Sequence, residues 1–168
     1  MLADKEHLEK WIEAGKSETR SDHAPVEDLL RSWSESLIHE ETIRNCRINL
    51  GHKELEGFCF NVYQPWYKSS PVGMIHDIEV FIDGGKVPRE DIQLILKGGQ
   101  RIMLCNARTI QDIWWDIVAP ITVFVPREGG LSAGDHELEV TLAEQISEYY
   151  EFPLNMLMAT RKVTMKVE

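Results

Sequence analysis

The chain has 168 residues, enough for one domain with an appendage and short for two full cores. Its hydrophobic share of 43% and charged share of 27% are those of a soluble globular protein. No apolar run approaches the roughly 18 residues of a membrane helix, and the charged N-terminus lacks a secretion signal's apolar stretch, so a cytoplasmic protein without a membrane partner is expected. A net charge of -10 argues against nucleic acid as a partner, because that surface demands a basic footprint.

The acid excess is uneven, with eleven acids against five bases over residues 1–41. Such a distribution solvates a helical face, and it also suits docking to a basic partner. Asp4 can cap a short helix whose Leu8, Trp11 and Ile12 share one side and which Gly15 ends. A polar linker follows over 16–24. Pro25 suits the first turn of a second helix, Glu27 and Asp28 favour the positive end of its dipole, and Val26, Leu29, Leu30, Trp33 and Leu37 recur at helical spacing. A stripe on so short a helix must bury against the body of this chain or against another chain.

Near Glu41 the apolar period changes from helical to strand-like. The chain is therefore divided into a helical N-terminal arm, 1–41, and a β domain, 42–168. Cys46, Ile48 and Leu50 alternate with Arg47 and Asn49, Gly51 turns the chain, and Phe58, Phe60 and Val62 alternate with Cys59, Asn61 and Tyr63. The stretch Gln64–Asp91 opens with a loop, Pro65–Met74, too rich in large amphipathic side chains for a mere connector. After it, Ile78, Val80 and Ile82 point one way and Asp77, Glu79 and Asp83 the other, ending in the turn Asp83-Gly84-Gly85. Ile92, Leu94 and Leu96, a Gly98-Gly99 turn and Ile102–Leu104 follow. Ile121, Val123 and Val125, then Leu138, Val140 and Leu142, then Val163, Met165 and Val167 complete the pattern. Seven or eight strands with no helices between them predict a mainly β fold, an antiparallel β-sandwich or barrel-like domain with a two-helix N-terminal extension.

Two further aromatic segments interrupt the strands. In Asp112–Val118 the adjacent Trp114 and Trp115 cannot both face the core, and Gln145–Met158 carries Tyr149, Tyr150, Phe152 and Pro153. Rings with polar handles suit interfaces, and they equally suit a cluster covering an open end of the sandwich. There is no GxSxG elbow, phosphate-binding loop or GxGxxG turn. The six histidines form no HxH or HExxH pair. His39 beside Glu40 and Glu41 reads as a solvated charge cluster. His76 reads as a hydrogen-bonded strand-edge residue, or as one reaching whatever the aromatic loop covers. Glu137 and Glu139 share a solvent face at i, i+2, and Cys46, Cys59 and Cys105 are expected to be reduced and buried.

The run YKSSPVGMIHDIEVFIDGGKVPREDI, with PREGGLSAGDHELEV after it, resembles the small (β) subunit of bacterial C-glycoside deglycosidases over about Phe58 to Leu142. Trp66, Lys68 and Gly73 stand where that pattern has tyrosine, arginine and serine, and the arm before Glu41 lies outside it. The resemblance implies a larger α subunit with a TIM-barrel fold, which holds a divalent metal, typically manganese, and the catalytic residues. The pair would cleave the sugar–aglycone C–C bond of 3-oxo-C-glycosides by β-elimination. This chain would then be an accessory subunit of a lyase in a hetero-oligomer, binding no cofactor or metal and supplying no catalytic residue. Trp66, Tyr67, Lys68, Met74, His76, Trp114, Trp115, Tyr149 and Tyr150 are its candidates for bordering the pocket or the partner, with Trp66, Tyr67 and Lys68 closest to ligand. Two other readings stand beside it. One is a free carbohydrate-binding β-sandwich using Trp66, Tyr67, Trp114 or Trp115 as a sugar platform, and the other is an interaction domain without ligand contact.

Overall fold

The computed structural model describes residues 34–65, 68–145 and 156–168. Eleven strands occupy most of them: β1 (Arg44–Asn49), β2 (Glu54–Val62), β3 (Ser70–Pro71), β4 (Ile75–Ile82), β5 (Gly85–Lys86), β6 (Gln93–Ile95), β7 (Arg101–Met103), β8 (Trp114–Trp115), β9 (Ile121–Pro126), β10 (Gly134–Gln145) and β11 (Met156–Val167). Every pairing is antiparallel, in a five-stranded sheet ordered β1-β2-β9-β6-β7, a four-stranded sheet ordered β11-β10-β4-β5 and the ribbon β3-β8. The fold is mainly β with antiparallel sheets. The first expected helix, and the second as far as Trp33, lie outside the described residues.

Where the second helix was to continue, only Ser34 and Glu35 are helical. The amide of Leu37 bonds Ser34 O at 3.2 Å, Ile38 then bridges to Val62, and the Tyr63 amide donates to Leu37 O at 2.9 Å. Leu37 therefore does not lie on a helical stripe. It and Ile38 are wholly buried because they join the five-stranded sheet at the end of β2.

Period-two alternation builds one core. Phe58, Phe60, Val62, Leu94, Val123 and Val125 of one sheet meet Ile78, Val80, Leu138, Val140 and Leu142 of the other in a single buried cluster. Phe58 and Phe60 stack at 6.4 Å, and burying each such ring stabilises the fold by about 1.5–3 kcal/mol. Gly57 shows how closely β2 and β9 approach within the five-stranded sheet, since a Cβ there would lie 2.1 Å from Val125 O and 2.9 Å from the Phe124 ring.

In β4 the alternation breaks once. Asp77 lies opposite Ala143 and Ile75 opposite Glu144, so His76 is an unpaired extra residue in a β-bulge. Ile75 and Ile78 can thus both be buried, although three positions separate them. Asp77 keeps its phase with Glu79, on the face away from Ile78, yet it is not exposed as expected. That residue is buried, its Oδ1 accepting from the Ile78 amide at 2.8 Å and from Arg89 Nε at 3.0 Å. At the other end Asp83 (φ 51°) and Gly84 (φ 77°) make the two-residue turn between paired Ile82 and Gly85, both in the left-handed region that a primed hairpin turn requires.

Candidate functional site

Gln64 and Pro65 leave β2 as buried residues, and the chain is next described at Lys68, which is exposed. From there the loop is fastened to the segment around the tryptophans. Ser70 pairs with Trp115 and Pro71 with Trp114. Val72 N donates to Ile113 O at 2.9 Å, Gly73 N to Ile110 O at 2.8 Å, and Ile117 N to Ser69 Oγ at 3.1 Å. Gly73 is required by this approach, because a Cβ there would stand 2.6 Å from Ile110 O.

The ribbon separates the two indoles as alternation demands. Trp115 is 2% exposed in the core, its Nε1 donating to Ala119 O at 3.2 Å, whereas Trp114 is 60% exposed. With Ile117 at 41% and Val118 at 79%, Trp114 makes up the exposed large hydrophobic residues among those described. Asp116 stands between them. Its carboxyl is held below the usual range by the Val118 amide and then by Lys97, whose Nζ lies 3.3 Å away. Trp115 is thus a support and presents no platform to a sugar, a correction to its place among the surface candidates.

Beneath the ribbon lies a polar cluster that the sequence reading missed. Glu144 is wholly buried on β10, continuing the core-facing row Leu138, Val140, Leu142. Its Oε1 accepts from Gln64 Nε2 at 3.0 Å and from the Ser70 hydroxyl in a short contact, and Gln64 Nε2 also donates to Ser70 Oγ at 3.0 Å. Its Oε2 is buried with no hydrogen-bond partner. Burial pushes the carboxyl upward, and the bonds from Ser70 and Gln64 offset only part of this. A glutamate in phase with three apolar core residues was the available signal.

The remaining candidates divide. Met74 is half-buried and closes the short 3-10 turn Val72–Met74. His76 is half-buried at the bulge, its Nδ1 3.2 Å from Arg108 Nη1; a guanidinium only donates, so Nδ1 is the acceptor of that contact. Trp66, Tyr67, Tyr149 and Tyr150 lie outside the described residues. His39 packs edge-on against Tyr63 at 5.0 Å. Glu137 and Glu139 lie over Lys162 on a half-exposed face, as expected of their spacing. Cys46, Cys59 and Cys105 are all free, but of the three expected to be buried only Cys59 is, Cys46 being half-buried and Cys105 exposed. Cys46 is pushed up to about 12, by burial first and then by the Cys59 thiol.

One constellation has the composition of a hydrolytic triad without its chemistry. His136 Nδ1 is 2.7 Å from Asp83 Oδ2, while its Nε2 is 2.8 Å from Ser132 O and 3.4 Å from Ser132 Oγ. Both ring nitrogens face acceptors, which favours the protonated imidazole, raised by Asp83 first and the Ser132 carbonyl second. An Nε2 directed at the Ser132 carbonyl 2.8 Å away is not aligned to take a proton from the serine hydroxyl at 3.4 Å. No three His, Cys, Asp or Glu side chains among the described residues are grouped to hold a metal ion.

The family model for the C-glycoside deglycosidase beta subunit matches residues 33–149. The chain belongs to that family. A 3'-dehydrocarminate deglycosidase beta subunit from a Microbacterium species is 29% identical over 90 residues, 54% of this chain and 67% of the relative. C-glycoside deglycosidase beta subunits from Eubacterium cellulosolvens and Arthrobacter globiformis are 29% and 25% identical, over 55% and 67% of this chain and 62% and 89% of theirs. Within this beta-subunit fold the motifs that carried the resemblance meet one another. Asp77 of DIEV holds Arg89 of VPRED, and Asp83 of the DGG turn holds His136 and the Glu137 amide of DHELEV. They are tethers between strands and do not converge on a reacting group.

Proposed function

We propose that this chain is the accessory small subunit of a complex that cleaves the C–C bond between sugar and aromatic aglycone in 3-oxo-C-glycosides, with the chemistry in a larger TIM-barrel subunit. The family match over residues 33–149 carries this reading, and the names of the relatives, each a beta subunit, support it. In the reaction the 3-keto group acidifies the proton on C2. A base removes it, the electron pair forms the C1–C2 double bond, and the aglycone leaves C1 with the bonding pair and takes up a proton. The divalent metal implied for such enzymes has no fitting ligand set among the described residues, and on this reading it would belong to the large subunit. This chain's share is to brace that subunit and border the aglycone end of its pocket, with Trp114, Ile117 and Val118 as the apolar contact and Ser69 and Ser70 beside them.

Co-purification with the large subunit and native mass measurement test the assignment. The two together should turn over a 3-oxo-C-glycoside and this chain alone should not. Turnover by the isolated chain, or the absence of a complex, would sink the reading.

A further inference from the structure

Glu144 sits where the two sheets and the aromatic loop meet. Its neighbours across the strands are Ile75 on β4 and Leu157 on β11, both wholly buried. The loop meets it through Gln64 and Ser70, both neutral. Asp77 and its partner Arg89 belong to the opposite face of the sheet, since Asp77 lies opposite Ala143, one position along from Glu144. Among the described residues no cation thus compensates a charge on this carboxyl, and a carboxylate would leave Oε2 bare in the core at a cost far above that of an unpaired neutral oxygen.

The two side chains that reach Glu144 are also the two ends of the loop. Gln64 precedes residues 65–69 and Ser70 follows them, and Ser70 opens the ribbon whose other strand displays Trp114. One buried group therefore holds entry, exit and the adjoining exposed face in register. We propose that Glu144, as a neutral carboxylic acid, is the positioning residue that clasps Gln64 at the end of β2 and Ser70 of the Trp114 ribbon onto the core. When the proton is lost the clasp becomes a buried uncompensated charge, so the hold on Gln64 and on the ribbon at Ser70 loosens as the solution becomes more alkaline. The bearing of this on turnover rests on the small-subunit reading. The clasp itself does not, and its test uses this chain alone.

The full chain is compared as wild type, Glu144→Gln, Glu144→Leu and Ser70→Ala, by amide hydrogen exchange and by Tm between about pH 4 and pH 9. Glutamine copies the neutral acid in shape and keeps the acceptor for Gln64 and Ser70. Exchange at Val72 and Gly73, whose amides bond Ile113 and Ile110, should stay within about twofold of wild type at neutral pH in Glu144→Gln. It should rise about tenfold or more in Glu144→Leu and Ser70→Ala, while Val80 and Val140 stay slow. The sign with pH follows from a folded value above the unfolded one. The neutral group's contribution is whole below the ordinary glutamate range and fades as pH climbs towards the raised value, so the Tm advantage of Glu144→Gln over wild type should grow over that interval. A Glu144→Gln loop that exchanges as fast as Ser70→Ala, an unaltered loop in Ser70→Ala, or a Tm difference flat with pH would each overturn the proposal. Should Glu144→Leu fail to fold, the Gln and Ser70→Ala pair decides it.

Discussion

At the scale of single residues the charged side chains of this protein serve as fasteners, and their pH response follows. Asp83 takes the Glu137 amide at 2.9 Å and His136 at 2.7 Å; these bonds hold its carboxyl low, while His136 is held high by Asp83 and Ser132. The Asp83 contribution is present above the ordinary carboxylate range and fades as pH falls through the lowered value. The His136 contribution is whole below the ordinary imidazole range and fades as pH rises through the raised value. Asp83→Asn keeps a residue that tolerates the left-handed region, and it removes the charge. Its Tm deficit against wild type should be larger at about pH 5.5 than at about pH 9.5, and an equal deficit at both would contradict the pairing. What could be read from sequence at this scale was uneven. Trp114 and Trp115 had to face opposite ways because they are adjacent on a strand. Asp77 was assigned to solvent by the same rule and keeps that outward phase, but it is buried with Arg89 bonded to it, a contact from twelve positions further on that nothing in the local composition marks. Glu144 continues the core phase of Leu138, Val140 and Leu142, but its burial depends on Gln64 and Ser70, which stand 80 and 74 positions away in sequence.

At the scale of elements the ribbon β3-β8 and the close approach of β2 to β9 are the informative ones. Trp114→Ala removes exposed surface and should change the stability of the free chain by no more than about 0.5 kcal/mol, while Trp115→Ala empties a core position and should cost about 3–5 kcal/mol. On the small-subunit reading the order reverses for assembly. Trp114→Ala should weaken the complex about tenfold or more in a titration calorimeter, as a buried aromatic anchor would. Gly57→Ala sets a methyl against Val125 O and the Phe124 ring and should lower stability by about 1–3 kcal/mol in urea unfolding. The long strands were legible from period-two runs such as Leu138-Val140-Leu142. The ribbon was not, since two residues are too few to show a period and its partner lies some forty positions away. The loop's attachment is likewise made by backbone groups, which the identity of the side chains does not disclose.

At the scale of the whole molecule, the apolar body does not begin at the change of period near Glu41. Leu37 and Ile38 are wholly buried and bonded to the end of β2, inside the stretch assigned to the helical arm. A deletion through residue 40 should therefore lower Tm well below that of a deletion through residue 33, and equal values would contradict the packing seen here. The strand order has a kinetic consequence. In the five-stranded sheet β2 is flanked by β1, its neighbour in sequence, and by β9, whose Ile121 pairs with Val62 across nearly sixty intervening positions. In the other sheet β10 reaches back to β4 over a similar span. Neither sheet can close through local contacts, so the chain must bear the entropy of large loops before its core rewards it. Refolding should fall in the millisecond-to-second range of non-local β proteins, and until β9 arrives the Phe58 and Phe60 faces stand open. During that interval the unpaired strands are most exposed to pairing with other copies, and production of the chain should respond more to temperature and expression rate than its finished surface would suggest.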